Sequence, residues 1–151
     1  ADTRTAPLSP ARWTRGVTDA ALIAKRLAFI ETRLHELLTL SRPAEIENDL
    51  RELRFAEHTL QIAIQAALDV ASHIVSDGRL GEPNTNRELF DLLVTHAWIS
   101  EELGGRLRDM AGFRNVLVHG YAEVAPRIVR DVVENHLGDL QAFVAAIRAR
   151  L

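Results

Sequence analysis

The sequence predicts an all-α protein, an antiparallel bundle of four to five helices. Apolar residues recur at spacings of three and four along most of the chain, and no segment alternates apolar and polar residues between turn signals as a strand would. The connections between the predicted helices are short, which favours antiparallel neighbours. With 151 residues, 47% hydrophobic and 26% charged, the chain has the size and composition of one soluble domain with a single core.

The first two helices are long. Residues 1–18 contain two prolines and a glycine without apolar periodicity, so we interpret them as a flexible leader before a helical domain of residues 19–151. Asp19 caps a first helix that runs to about Leu40. Residues 43–76 are predicted to form a second helix, opened by a proline at its first position. Its second half is apolar on more than one side, which predicts that it is the central helix.

Two shorter helices and one further long helix follow. Thr85 and Glu88 have the spacing of a capping box, which predicts a short helix to about His96. Ser100 opens the next helix, which contains the pair Gly104-Gly105. Two glycines inside a helix cost about 2 kcal/mol relative to two alanines, so we expect a tight helix crossing or a kink there. The last helix is predicted over residues 126–150.

The helix after Ser100 carries the octet RNVLVHGY, residues 114–121, in which three chemically active side chains interrupt an apolar run. At about 100° per residue with Arg114 as zero, Asn115 lies near 100°, His119 near 140° and Tyr121 near 340°. The opposite arc, from about 200° to 320°, holds an apolar stripe predicted to face the core: Met110, Phe113, Val116 and Leu117. The polar arc is therefore predicted to face a cleft, a partner or a substrate, because an unpartnered buried guanidinium or imidazole is costly.

The pattern Arg, four residues, His, any residue, Tyr resembles the toxin motif of the HEPN superfamily, specifically the HepT-like ribonucleases that are paired with minimal nucleotidyltransferase antitoxins. The resemblance extends beyond the octet to three further segments, and together they cover roughly residues 20–148: Glu57–His73, Pro83–Phe90 and Met110–Phe113. It implies a HEPN-like helical fold and a homodimer in which two copies juxtapose their motifs. It also implies that the antitoxin, a cognate minimal nucleotidyltransferase, transfers AMP to Tyr121.

The residue types of the motif suit cleavage of an RNA phosphodiester without a metal or another cofactor. A histidine has an unperturbed pKa of about 6.5, so His119 can take the proton of a 2'-hydroxyl that then attacks the adjacent phosphorus. Arg114 can stabilise the charge that develops on the phosphorane. Asn115 lies one turn before His119 and is a candidate to orient the imidazole or to contact phosphate. Arg114 and His119 are about 140° apart on one helix, so a cleft shared by two copies is expected to hold the substrate better than one motif.

Two other functions remain open on the sequence alone. In the first, the chain is a noncatalytic module whose cleft binds a nucleotide, RNA or the tail of a partner. In the second, it is a metal-dependent hydrolase that uses Asp69 and His73, one turn apart, although a buried hydrogen-bonded pair is the favoured interpretation of these two residues. Glu31 and His35 have the same spacing and are interpreted as a solvated salt bridge.

The composition argues against several classes of cofactor and partner. The chain has no cysteine, no zinc-ligand spacing and no glycine-rich phosphate loop, so no metal or cofactor is predicted. A net charge of -3 argues against a nonspecific nucleic-acid coat, and no DNA partner is expected. No apolar run approaches about 18 residues, so we expect a cytoplasmic protein without a membrane partner. Five arginines on or just after the motif helix would form a basic surface if two copies met: Arg106, Arg108, Arg114, Arg127 and Arg130.

Overall fold

The computed structural model describes the backbone of residues 10–119 and 124–151, and the side chains of residues 19–119 and 124–151. Within these ranges every regular element is a helix, which confirms the all-α prediction. There are six α-helices and one short 3-10 turn, so the described part of the chain has more helices than the predicted four to five. The order is α1 (Pro10–Leu40), the 3-10 turn (Pro43–Glu45), α2 (Leu50–Asp77), α3 (Asn86–Thr95), α4 (Glu101–His119), α5 (Pro126–Asn135) and α6 (Leu137–Arg148).

The first helix begins earlier than the sequence suggested. It starts at Pro10, so the predicted start at Asp19 is wrong by nine residues. Proline is favourable at the first helical position because its φ is already helical and its missing N–H would have no partner there. Gly16 costs only about 1 kcal/mol inside a helix, which is too little to stop a helix of this length. Residues 1–9 of the predicted leader lie outside the described residues.

The second helix is the centre of the bundle, as predicted, and each of the other five helices packs against it. The predicted start at Pro43 is wrong, because Pro43–Glu45 forms a separate 3-10 turn. The long helix begins only after Asp49, whose carboxylate accepts a hydrogen bond of 2.9 Å from the backbone N–H of Arg51. This side chain satisfies one of the backbone donors that have no partner at a helix start.

The capping predictions for α3 and α4 are confirmed. The Thr85 hydroxyl accepts a hydrogen bond of 3.3 Å from the Glu88 N–H, and Ser100 Oγ accepts one of 3.1 Å from the Leu103 N–H. Gly104 lies at a tight crossing of α3 and α4, because a β-carbon at this position would collide with the Val94 side chain. Gly105 has no such close neighbour among the described residues.

The predicted last helix is two helices. The backbone leaves helical geometry at His136, with φ -123° and ψ 1°, and Gly138 follows within the first turn of α6. The Asn135 side-chain amide and His136 Nε2 each donate a hydrogen bond to the Asp131 carboxylate, so this corner is held by side chains. The break lets both apolar stripes face the core.

The first and the last helix are also joined by an ion pair. Arg148 of α6 donates two hydrogen bonds, of 2.8 and 2.7 Å, to the carboxylate of Glu31 on α1. These bonds lower the pKa of Glu31. The predicted salt bridge between Glu31 and His35 is therefore wrong, because the carboxylate is already used across the bundle. None of the helices in the described ranges combines the length and the hydropathy needed to cross a lipid bilayer.

Candidate functional site

The face of α4 that packs into the bundle is not the face that the octet alone predicted. The buried residues of α4 lie between about 320° and 80° on the same helical wheel: Leu103, Gly104, Leu107, Met110 and Ala111. The predicted stripe was centred near 260°, so it is wrong by roughly a third of a turn. Val116, which was assigned to that stripe, is 48% exposed, and Phe113 and Leu117 are only partly buried.

Arg114 lies on the line of this buried stripe, one turn after Met110 and Ala111. Its side chain is half-buried, and its Nε is buried without a hydrogen-bond partner among the described residues. Its Nη1 donates a hydrogen bond of 3.2 Å to the Asn115 side-chain oxygen. The guanidinium is therefore turned toward the side of α4 that carries Asn115, and Asn115 contacts Arg114 rather than only solvent.

The end of α4 extends beyond the packed core. Val118 continues the buried line on the wheel but is 39% exposed, and His119, the last residue of the helix, is exposed. His119 lies near 140°, on the same side as Asn115 near 100°. The structure thus brings Arg114 and Asn115 into contact and leaves His119 one turn further along that side. Tyr121, the fourth predicted site residue, lies outside the described residues.

Most of the predicted basic surface is neutralised within the chain. Arg106 pairs with Glu102 and Asp139, and Arg130 pairs with Glu47 and Glu134. The hydrogen bonds that Arg130 donates to Glu47 and Glu134 raise the pKa of its guanidinium.

The other three arginines of the predicted basic surface differ in whether they have a carboxylate partner. Arg108 pairs with Asp91 of α3. Within the described ranges, neither Arg114 nor Arg127 has a carboxylate oxygen within 4.0 Å. Of these two, only Arg114 belongs to the motif. The described part of the bundle does not use it in an ion pair, so its guanidinium is suited to bind an external anion.

A cleft of about 490 Å³ lies beside the motif, between the start of α2, the end of α4 and the start of α5. Val116 and Leu117 of the octet form its wall on the α4 side, and the polar residues that line it come from α2: Arg54, Glu57, His58 and Gln61. None of these four residues was predicted to belong to the site. The only available signal was their position in or next to the segment Glu57–His73.

The Asp69–His73 pair does not exist as predicted. Asp69 accepts a hydrogen bond of 2.9 Å from Gln65 and pairs with Arg26 at 3.4 Å. His73 Nε2 lies instead 3.3 Å from a carboxylate oxygen of Asp19 on α1. The two side chains therefore point to different neighbours, and within the described residues no group of three or more histidine or carboxylate side chains is arranged to hold a metal ion.

Comparison with known proteins identifies the family. The model of the ribonuclease HepT-like family matches residues 30–147, most of the chain. The chain belongs to the HepT-like ribonuclease family. The predicted family, the all-α fold and the predicted enzyme class, a ribonuclease, are thereby confirmed.

Two relatives and one solved structure illustrate the similarity. The mRNA nuclease HepT of Shewanella oneidensis is 39% identical over 90 residues, which are 60% of this chain and 68% of that protein. The tRNA nuclease HepT of Aphanizomenon flos-aquae is 33% identical over 95 residues, 63% of this chain and 65% of that protein. The tri-AMPylated HEPN toxin of Shewanella oneidensis, solved in complex with the MNT antitoxin, has a TM-score of 0.78 and 30% identity, over 84% of this chain and 96% of that chain.

Proposed function

We propose that this protein is the toxin of a toxin–antitoxin pair, a metal-independent endoribonuclease with Arg114 and His119 as its catalytic residues. The observation that carries the proposal is the end of α4, where a half-buried guanidinium without a carboxylate partner among the described residues is followed five residues later by an exposed imidazole. The two nuclease relatives and the toxin complex with the MNT antitoxin support it.

The proposed reaction is an in-line transesterification at one phosphodiester. His119 accepts the proton of the 2'-hydroxyl, and the 2'-oxygen forms a bond to the adjacent phosphorus. The bond from phosphorus to the 5'-oxygen then breaks, and this oxygen leaves with a proton from an imidazolium. The products are a 2',3'-cyclic phosphate and a 5'-hydroxyl, so the reaction needs neither water nor an external oxidant.

Arg114 stabilises the phosphorane in this mechanism. Its Nε is already withdrawn from water, and a guanidinium interacts more strongly with an anion where the local dielectric constant is low. Asn115 is a positioning residue, because its side-chain oxygen accepts from Arg114 Nη1 and limits the directions in which the guanidinium can point. This role adds to the two that the sequence left open for Asn115, orienting the imidazole or contacting phosphate.

Two copies of the chain complete the site. Arg114 and His119 project from one helix about 140° apart, and the helix end leaves Val116 and Val118 exposed. A second copy that packs against this exposed helix end brings a second imidazole and guanidinium next to the first pair. A homodimer is therefore part of the proposal, with RNA bound between the two motifs.

Control of the enzyme is proposed to reside at Tyr121, two residues after His119. A cognate minimal nucleotidyltransferase, the class of the MNT antitoxin, would transfer AMP from ATP to the phenolic oxygen and release pyrophosphate. The added nucleotide would bring bulk and negative charge next to the catalytic groups and compete with RNA for Arg114. The tri-AMPylated state of the Shewanella oneidensis toxin supports this part of the proposal.

The first test is RNA cleavage by the purified protein in the presence of EDTA. We expect cleavage of messenger or transfer RNA with cyclic phosphate ends, and a loss of at least about a hundredfold in His119→Ala. His35→Ala is the matched control, because His35 is an exposed histidine of α1 outside the motif. Binding of RNA without cleavage by the wild-type protein would favour the noncatalytic module, and activity that EDTA abolishes would favour a metal-dependent enzyme.

The second test asks whether the site is shared between copies. Arg114→Ala and His119→Ala chains, each inactive alone, are mixed so that they exchange subunits. A mixed dimer contains one intact Arg114 and one intact His119 on different chains, so recovered activity supports a composite site. Absence of recovery, with subunit exchange verified, would contradict it.

The third test concerns the partner. Incubation with ATP and a cognate nucleotidyltransferase is expected to add AMP to the wild-type protein and to suppress cleavage, whereas Tyr121→Phe stays unmodified and active. Mass spectrometry of the intact chain and of its peptides provides the measurement. Modification at another residue would overturn the assignment of Tyr121 without affecting the cleavage mechanism.

A further inference from the structure

One arginine outside the motif, Arg87, lies along the same side of α4 as His119. Helix α3 packs beside α4, and the crossing is visible at three levels. Val94 meets Gly104, Asp91 pairs with Arg108, and Arg87 reaches Gly112. A β-carbon placed on Gly112 would be 3.8 Å from Arg87 Nη1, so the Arg87 guanidinium lies over this glycine.

The position of Gly112 on the helix gives the direction of Arg87. On the wheel with Arg114 as zero, Gly112 lies near 160°, close to His119 near 140°. It is about 140° away from the centre of the buried stripe, which lies near 20°. Seven residues separate Gly112 from His119, which is about 10.5 Å along the axis. Arg87 therefore faces the side of α4 that carries Asn115 and His119, two turns before the imidazole.

The charge of Arg87 is not used by the described part of the bundle. Arg108, one turn before Gly112, is neutralised by Asp91 of α3. Arg87 is exposed, and within the described ranges no carboxylate oxygen lies within 4.0 Å of its guanidinium, although Glu88 is its neighbour in the sequence. Glu88 is instead occupied by the cap of α3, where it accepts from the Asn84 N–H at 3.2 Å.

The residue of α4 that lies beneath Arg87 is a glycine, Gly112. Gly112 has no side chain, so α4 presents bare backbone beneath the guanidinium. A glycine inside a helix costs about 1 kcal/mol relative to alanine. The nearest atom to a β-carbon at Gly112 is at ordinary contact distance, so packing does not require the glycine.

We infer that Arg87 is an RNA-positioning residue, which binds a backbone phosphate next to the scissile one while His119 and Arg114 act on the scissile phosphate. The inference rests on the proposed function and deepens it by giving the path of the substrate, along α4 from His119 toward α3. The planar guanidinium can bind a phosphate through two parallel hydrogen bonds. Arg87 takes no part in bond breaking.

The test compares two substrates in the same variant. A dinucleotide has only the scissile phosphate, whereas a longer single-stranded RNA also has the neighbouring ones. Arg87→Gln is expected to raise KM for the longer RNA about tenfold, the loss of one charge-assisted contact, and to leave kcat and all dinucleotide kinetics unchanged. Arg106→Gln is the matched control, because Arg106 lies on α4 near 280°, away from the proposed path.

Salt dependence provides a second measurement. Each phosphate contact on a single strand contributes about 0.7 to the slope of log affinity against log salt concentration. Arg87→Gln is expected to reduce this slope by about that amount for the longer RNA, and Arg87→Lys to restore it.

The outcomes separate this inference from the proposed function. If the wild-type protein cleaves RNA but Arg87→Gln and wild type have the same KM and salt slope, the inference is wrong and the proposed function stands. If the wild-type protein cleaves no RNA, the proposed function fails first. A shift from dimer to monomer in Arg87→Gln, measured by sedimentation, would assign Arg87 to contacts between copies and would also overturn the inference.

Discussion

The two halves of α4 differ in what their side chains do, although they belong to one continuous helix. Residues 101–111 carry the five buried residues of the helix, and their arginines are paired with carboxylates of the same bundle. Residues 112–119 contain exposed valines, a half-buried arginine and an exposed histidine. The first half therefore stabilises the fold, and the second half presents groups to the outside.

The difference shows why the helix is a suitable support for a site. The packed half fixes the position and rotation of the rod, and the projecting half carries the reactive groups without a loop between them. Arg114 lies at the boundary, on the line of the buried residues but with its Nη1 directed to Asn115. Functional groups held by a rigid element keep their geometry more accurately than groups on a loop.

The largest expected effect on stability comes from the packed half. Leu107 is fully buried, and Leu107→Ala is expected to lower the free energy of unfolding by about 2 to 5 kcal/mol. Val118→Ala, about three turns further along the same line but 39% exposed, is expected to cost less than about 1 kcal/mol. Denaturant unfolding at two protein concentrations measures both values and separates effects on the bundle from effects on a dimer. An equal loss of free energy of unfolding in both variants would contradict the division of α4 into a packed and a projecting half.

The next effect is on activity rather than on stability. Arg114→Met is expected to lower the rate of RNA cleavage by about a hundredfold to a thousandfold, because a donor to the phosphorane is removed. Its free energy of unfolding is expected to be unchanged or higher, because the buried and unpartnered Nε disappears while the aliphatic packing remains. Single-turnover cleavage and thermal unfolding are measured on the same preparation. A strongly destabilised Arg114→Met protein would place Arg114 with the packed half.

A smaller effect on the free energy of unfolding is expected at the adjacent glycines of the packed half, Gly104 and Gly105. Each serves as the control for the other. Gly104→Ala is expected to lower the free energy of unfolding by about 1 to 3 kcal/mol, because the new methyl group collides with the stiff, branched Val94 side chain. Gly105→Ala is expected to raise it by about 0.5 to 1 kcal/mol, since alanine is the better helix former and space is available. If both substitutions are stabilising, the crossing is looser than the structure indicates.

The smallest effect is expected at the ion pair between α3 and α4. Arg108→Ala should change the free energy of unfolding by less than about 1 kcal/mol, because the pair with Asp91 is largely exposed. Cleavage of long RNA should be unaffected, in contrast to Arg87→Gln, since Arg108 is already neutralised. Kinetics at low and high salt check this expectation, and a KM change equal to that of Arg87→Gln would show that the ion pair opens for RNA.

Much of the architecture could be predicted from the sequence because it depends on neighbouring residues. The capping residues Thr85 and Ser100 were predictable, since caps act over three or four positions. The Gly104-Gly105 pair predicted a tight crossing or a kink, and the structure decided for a crossing at Gly104. The start of α1 and the break at His136 were not predicted. The start at Pro10 was missed because the prolines and the glycine of residues 1–18 indicated a flexible segment. The break at His136 depends on how the apolar stripes meet the rest of the bundle, and periodicity continues across such a break.

The candidate site also has features that the sequence predicts and features that it does not. The motif from Arg114 to His119 and the family could be recognised from the order of residues alone. The orientation of α4 could not, because the octet spans only two turns and the residues that determine the buried face lie earlier in the helix. The pairings of Asp69 and Glu31 also escaped prediction, since each carboxylate has a partner on another helix at a large separation in sequence.

The sequence by itself thus determined the all-α class, the caps of α3 and α4, the family and the chemical types present at the end of α4. The tertiary structure decided which side of α4 is buried, which arginines are neutralised and which one, Arg87, lies beside the motif from another helix. The physical reason is the range of the forces involved. Helix formation and capping are local, whereas burial and ion pairing depend on distances between segments that only the folded bundle brings together.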